Sequence, residues 1–254
     1  MFVALIITYL INFHLFKDML NYCKDISSCS KLLTLLILSL GDDKMKINKP
    51  RLQDNMTSYT FNNIYNANDP FINDIKIESS EINLQTDDLI EFTNVHFKDV
   101  NFNGSRFQRI FFKNCIFDNC DLSDAHFYEA NLQNVSFNKC RLIGIVLTDA
   151  RIQHVHFNQS NLQLASFGYS YQRYVIYDEC ILEESDFYEN DLKDIDFTNS
   201  QLTGINLSQT SLNKIDLSNT FFTHLTVGLT DLKGCIVNEN QAVSLAGLLG
   251  LVIK

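Results

Sequence analysis

A chain of 254 residues that is 46% hydrophobic carries enough apolar material for a large core, which excludes intrinsic disorder. A formal net charge of −10 argues against direct nucleic-acid binding, because phosphate contact needs an excess of Lys and Arg, and suits a basic protein partner instead. Seven Cys with no CxxC pair and no Cys/His cluster at zinc spacing exclude a disulfide framework and a zinc site, and predict buried thiols in a reducing, cytoplasmic compartment.

Residues 1–44 hold two apolar runs, Phe2 to Phe16 and Leu32 to Leu40, each interrupted or short of the ~18–20 residues of a spanning helix. No basic n-region precedes the first run, as a signal peptide would require. The residues Gly41-Asp42-Asp43-Lys44 before Met45 can be encoded by a purine-rich stretch of ribosome-binding type. Translation starting at Met45, with 1–44 as upstream sequence read in frame, is therefore expected; a membrane or targeting segment is the alternative. Residues 45–71 are polar and irregular around an apolar cluster at Phe61, Ile64 and Tyr65, and read as an N-terminal cap. Ile72, Ile77 and Ile82 open a five-residue grid, a degenerate first coil.

From Phe92 to Val237 every fifth residue is a centre, and 29 of 30 centres are Phe, Leu, Ile, Val or Tyr. Two residues before each lies a second, smaller series such as Val95, Val100, Ser105, Ile110, Cys115 and Cys120. A period of five suits neither a helix nor a straight strand, so the chain must turn once per repeat to keep its centres on one side. Four turns close a square coil of about 20 residues, and stacking coils at roughly 4.8 Å pairs every backbone group. Every twentieth residue supports this, with Phe97, Phe117, Phe137, Phe157, Tyr177 and Phe197 placed at one corner. An all-β solenoid of 7–8 coils over residues 72–237 would then be on the order of 36 Å long. Gln172, the polar centre, predicts a bulge or small loop.

Residues 238–254 change character. Asn238 is a candidate N-cap with Glu239 in the first turn, Ala242, Leu245, Ala246, Leu248 and Leu249 follow at helical spacing, and Gly250 is a stop. So apolar an end on an open coil edge needs a cover. Self-association through Ala242, Leu245, Ala246, Leu248, Leu249, Leu251 and Ile253 would supply it; a cap folded back on the last coil is the alternative.

Repeats such as Ala130-Asn131-Leu132-Gln133-Asn134 and Cys120-Asp121-Leu122-Ser123-Asp124 resemble the A(D/N)LXX pattern of the pentapeptide-repeat family. The resemblance implies a right-handed quadrilateral β-helix. The C-terminal stretch from Asp231 resembles the cap of the quinolone-resistance-like branch, which implies a short helix and terminal strand forming a head-to-head homodimer.

Neither catalytic nor cofactor chemistry is predicted. The six His form no Ser/His/Asp or Cys/His arrangement, the nine Gly are scattered, and no metal or cofactor site emerges. Charge says more. The coil from Tyr177 to Asp196 carries Asp178, Glu179, Glu183, Glu184, Asp186, Glu189, Asp191, Asp194 and Asp196 against Lys193. Tyr169, Tyr171 and Tyr174, expected to be exposed, lie just below it, an interface-like composition. The family resemblance then implies a DNA mimic that binds DNA gyrase or topoisomerase IV and protects it from quinolones, with these residues in contact. Net −10 over the ~36 Å rod is one charge per ~3.6 Å, about half the density of duplex DNA, so mimicry would be local. A scaffold that binds another protein, its acidity serving only solubility, is the alternative.

Overall fold

Five residues per side decide the architecture. In the computed structural model each centre and the residue two before it point inward, and the residues flanking the centre point outward, as in strand β9 (Arg151–Asn158). Two residues after the centre the backbone turns through the left-handed region: φ is 55° at Asn94, 54° at Asp99, 51° at Asn114 and 78° at Gly204. Asn, Asp and Gly enter this region at least cost, which accounts for their recurrence at that slot. The aromatic centres therefore lie mid-face, not at the corners where the sequence placed them.

The structure describes residues 45–63 and 69–251. The leader 1–44 with its start-site expectation, Ile64, Tyr65 and Ile253 lie outside the described residues, and Met45–Lys254 form one compact unit. That unit is a right-handed parallel solenoid of about seven turns. Strand β1 (Ser58–Tyr59) starts it and pairs with β3 (Lys76–Glu78); β2 (Phe71–Asn73) pairs with β4 (Gln85–Thr93), and β5 (His96–Lys98) continues the ladder. Above them come β6 (Arg106–Asp118), β7 (His126–Phe127), β8 (Asn131–Asn138), β9, β10 (Tyr171–Asp178) and β11 (Asp191–Asp196), all parallel. Phe117 faces Phe137 and Phe137 faces Phe157 in a strict one-coil register. One shift occurs low in the stack, between Thr86 and Leu89, where Thr86 rather than Asp87 pairs with Phe107.

The core is a column of side chains. On the second face Phe97, Phe117, Phe137, Phe157, Tyr177 and Phe197 stack at 4.5, 4.6, 4.9, 5.0 and 5.1 Å. Each pair contributes about 0.5–1.5 kcal/mol beyond area burial. On the corner between the first and second faces, side-chain amides form their own ladder: Asn134 donates to Asn114 (3.0 Å), Asn114 to Asn94 (3.1 Å) and Asn94 to Asp74 (2.8 Å).

Gln172 corrects an expectation. It opens no loop: β10 passes through it in register with Ile152 below and Leu192 above, and its side chain is fully buried. The Tyr177 hydroxyl donates to Gln172 Oε1 (2.8 Å), and Gln172 Nε2 donates to Asn190 Oδ1 (3.1 Å). Asn190 Nδ2 donates in turn to the Phe167 carbonyl (2.8 Å). A polar group whose partners are all inside can occupy a core slot without distorting the coil.

Helix α1 (Glu239–Ala246) covers the upper end. Asn238 and Gln241 form a reciprocal capping box, and the buried Gln241 amide donates to the carbonyls of Leu217 (2.7 Å) and Thr220 (3.0 Å). The helix thus satisfies carbonyls that an eighth coil would otherwise have taken.

Candidate protein-binding surface

The titratable groups first test for chemistry. Among the described residues no group of three or more His, Cys, Asp or Glu could hold a metal ion. His96 Nε2 lies 2.7 Å from Asp118, His126 Nδ1 3.0 Å from the Tyr128 hydroxyl, and His154 Nδ1 accepts the Asn48 amide at 3.3 Å. Cys115, Cys120, Cys140 and Cys180 are buried free thiols. Burial pushes Cys115 and Cys180 up to about 12, and pushes Cys140 higher still, so none of these three is a ready nucleophile at neutral pH.

Outward charge is unevenly placed. The first face, around Phe112, Leu132, Ile152 and Gln172, carries Lys113, Arg151, Arg173 and Lys193, with amides Asn131, Gln133 and Gln153 between them. A shallow depression of 320 Å³ lies there, bounded above by Tyr171 and Arg173. The nine carboxylates of the acidic coil circle the solenoid, and five have work inside the fold. Asp191 pairs with Arg173 (2.5 Å), and Asp178 faces His156 (3.9 Å). Glu179 accepts from Gln159 (2.9 Å) and Asp196 from Thr198 (2.5 Å). Asp186 accepts from the Tyr188 amide (3.1 Å) and Asn206 (2.8 Å). The carboxylates of Glu183, Glu184, Glu189 and Asp194 make no hydrogen bond or ion pair among the described residues. Glu184 folds over Gly204, whose missing side chain leaves the room.

The three tyrosines divide. Tyr171 is exposed beneath the Arg173 guanidinium, 3.6 Å from its ring centroid. Burial lowers the Arg173 pKa, but its bond to Asp191 more than offsets this, so the group lies above its ordinary value. Tyr169 is exposed and meets Tyr188 edge-on at 5.5 Å. Its phenol is held above the usual range by desolvation, then by Tyr188, Glu189, Asp149 and Asp186. Tyr174, expected on the surface, is half-buried: it occupies a corner and stacks on His154 at 4.7 Å.

Five-residue faces, left-handed corners rich in Asn and Asp, and an inward Phe/Leu column are now all in place, and the family models agree. Residues 90–167 match the model described as "Pentapeptide repeat region" and residues 200–238 the one described as "Pentapeptide repeats (8 copies)". The coils in these two stretches belong to the pentapeptide-repeat family. Among solved structures, a trypsin-treated variant of QnrB1, a plasmid-mediated fluoroquinolone resistance protein, is 24% identical, covering 73% of this chain and 94% of that chain with a TM-score of 0.46. HetL, a pentapeptide repeat protein involved in heterocyst differentiation regulation from the cyanobacterium Nostoc sp. strain PCC 7120, is 14% identical, covering 81% and 92% with a TM-score of 0.49. No curated protein matches the chain.

The pentapeptide-repeat coils end in a cap whose apolar residues face two ways. Leu245 packs against the core and Ala246 is half-buried, whereas Ala242, Leu248, Leu249 and Leu251 are exposed, together with Val243. Among the described residues no helix is long and apolar enough to cross a membrane. One exposed residue escaped the sequence reading. Leu164 stands at a corner with φ of 60°. An aliphatic residue in a slot that elsewhere takes Gly or mostly polar residues, Asn and Asp most often, was its signal, since left-handed geometry costs a Leu roughly 1–2 kcal/mol.

Proposed function

We propose that this pentapeptide-repeat protein is a non-enzymatic, cytoplasmic binding solenoid whose acidic coil enters the basic DNA-binding groove of a type II topoisomerase, DNA gyrase or topoisomerase IV, as a local DNA mimic. Binding there would protect the enzyme from quinolones. The observation that carries this is the row of carboxylates Glu183, Glu184, Glu189 and Asp194, which the fold leaves unpaired and turned outward. Rigid coils hold them in fixed positions, so little ordering entropy is lost when cations meet them. The apolar end formed by Ala242, Val243, Leu248, Leu249 and Leu251 is the proposed homodimer surface, which would place two acidic coils in one rod.

A gyrase supercoiling assay with ciprofloxacin tests the proposal. The wild-type protein should restore supercoiling, and the triple variant Glu183→Lys/Glu184→Lys/Glu189→Lys should not, while melting normally. Asp186 is left alone because it ties Tyr188 and Asn206. Absence of rescue by the wild type, together with no salt-sensitive binding to gyrase, would overturn it.

A further inference from the structure

We propose that Leu164, Tyr169 and Tyr171, with the acidic row on the coil above them, form a docking strip for an extended segment of a partner protein in which Lys or Arg alternates with apolar residues. The inference deepens the proposal of a binding solenoid but does not depend on the partner being a topoisomerase.

Between residues 72 and 220 the exposed large hydrophobics among the described residues are Leu164 (58%), Tyr169 (55%) and Tyr171 (49%). All three fall within eight residues of one coil. Leu164 and Tyr169 occupy left-handed corners, both at φ 60°, where the coil below carries Gly144 and Asp149. Other corners hold long polar side chains at similar φ, such as Glu129 and Gln159, which water solvates; Leu164 and Tyr169 instead leave apolar surface exposed there. Between the two corners lie the half-buried Ser166 and the buried Gly168, so no large side chain stands between Leu164 and Tyr169. The neighbouring coil, about 4.8 Å away, sets Glu184 over Leu164, Asp186 over Ser166, Glu189 over Tyr169 and Asp191 over Tyr171. One row is apolar at Leu164, Tyr169 and Tyr171, and the next is acidic, with the Glu184 and Glu189 carboxylates open to a partner while Asp186 and Asp191 already hold Asn206 and Arg173. An extended chain lying along the face from Leu164 to Tyr169, with its pleat parallel to that face, points alternate side chains at the two rows, apolar ones to the first and cations to the second; Tyr171 and Asp191 continue the rows around the Tyr169 corner. The aromatic row is already fixed, Tyr171 beneath Arg173 and Tyr169 against Tyr188, as suits interface anchors.

The test uses the full chain and two fluorescent decapeptides, one alternating Lys and Leu, the other all Lys, titrated by anisotropy. The alternating peptide should bind at least tenfold more tightly. Leu164→Asn/Tyr169→Asn, whose new side chains suit left-handed corners, should reduce its affinity to that of decalysine without lowering the melting temperature. Glu184→Gln/Glu189→Gln should weaken both peptides. Equal affinity for the two peptides, unchanged binding by the Asn variant, or no binding at millimolar peptide would each overturn the strip. Peptide binding without gyrase protection would remove the topoisomerase and keep the strip; gyrase protection that survives the Asn variant, with no peptide binding, would remove the strip alone.

Discussion

Replacing Gln172 with Leu would make all thirty centres of the column apolar and, by pattern alone, should stabilise the protein. The structure argues the opposite. Gln172 is wholly buried and serves two partners, accepting from Tyr177 at 2.8 Å and donating to Asn190 at 3.1 Å. Burial holds the Tyr177 hydroxyl well above its ordinary pKa, so it remains a donor at any working pH. An apolar side chain in this slot would orphan that hydroxyl and the Asn190 Oδ1, at about 1–3 kcal/mol for each unsatisfied group. The two orphans together cost about 2–6 kcal/mol and burying a Leu side chain returns about 1.5–3 kcal/mol, so at the midpoints Gln172→Leu should cost about 2 kcal/mol net. Adding Tyr177→Phe removes one orphan and keeps the ring in its stack, so the double variant should recover more than half of that loss. Guanidinium denaturation of the wild type, both single variants and the double variant measures the coupling. Because a solenoid can open coil by coil, hydrogen exchange of the Tyr177 to Phe187 amides gives a local check. A Gln172→Leu protein as stable as the wild type, or additive single effects, would refute the reasoning.

Phe137→Ala removes the ring between Phe117 and Phe157 and should cost about 3–5 kcal/mol in denaturant titration. Gly204→Ala meets both a φ of 78° and the Glu184 carboxylate; it should lose about 1–2 kcal/mol and move Glu184, read by melting and by a weaker dependence of partner binding on salt. Cys115 and Cys180 have folded-state pKa values of about 12 against an ordinary 9.0, so their thiols favour the folded state below pH 9 and that contribution is lost as pH rises from 9 towards 12. Stability measured from pH 8 to 11 should therefore fall, and less steeply in a Cys115→Ala/Cys180→Ala variant. Leu248→Asp/Leu249→Asp should convert a dimer to a monomer in light scattering with the coils intact; a wild type that is already monomeric would remove the proposed homodimer.

The coil was legible because its constraint is local and repeated: inward residues at two fixed slots, a turn at a third. Partnerships across coils were not. Gln172 looks like a defect when read along the chain, and only the stack shows that Tyr177, one face on, and Asn190, in the small-residue slot nearly one coil on, complete it. Asn190 was itself a clue, a large amide in a slot that usually takes Val, Ala, Ser or Cys. Tyr174 was misplaced for the same reason, since His154, whose ring it covers, lies one coil below. The helix cap was readable from Asn238, but Gln241 as the plug of the open coil was not, because its partners are carbonyls of the preceding turn. Counting carboxylates likewise could not separate those that brace the fold, such as Asp186, from those left outward, such as Glu189.

This separation limits how a basic groove could receive the rod. A duplex lies along its groove and presents charge evenly down its length. If this solenoid lay the same way, Arg106, Arg109 and Lys113 in the lower coils and Arg151 on the first face would be pressed against the groove's own cations. The carboxylates instead make a belt, Asp178 to Asp196, one coil thick and about 4.8 Å high. Its charge on the first face is met by Arg173 and Lys193, which leaves the other three sides acidic. Cations on the first face are separated from the opposite corners by the packed core, and mobile ions screen charges around the outside over roughly 8–10 Å. A partner meeting those corners would therefore see nearly undiluted negative charge. The contact that this distribution favours crosses the rod at the belt, with the long axis steeply inclined to the groove. For the proposed mimicry, net charge per unit length is then the wrong measure, and the placement of Glu183, Glu184 and Glu189 around one coil is the right one.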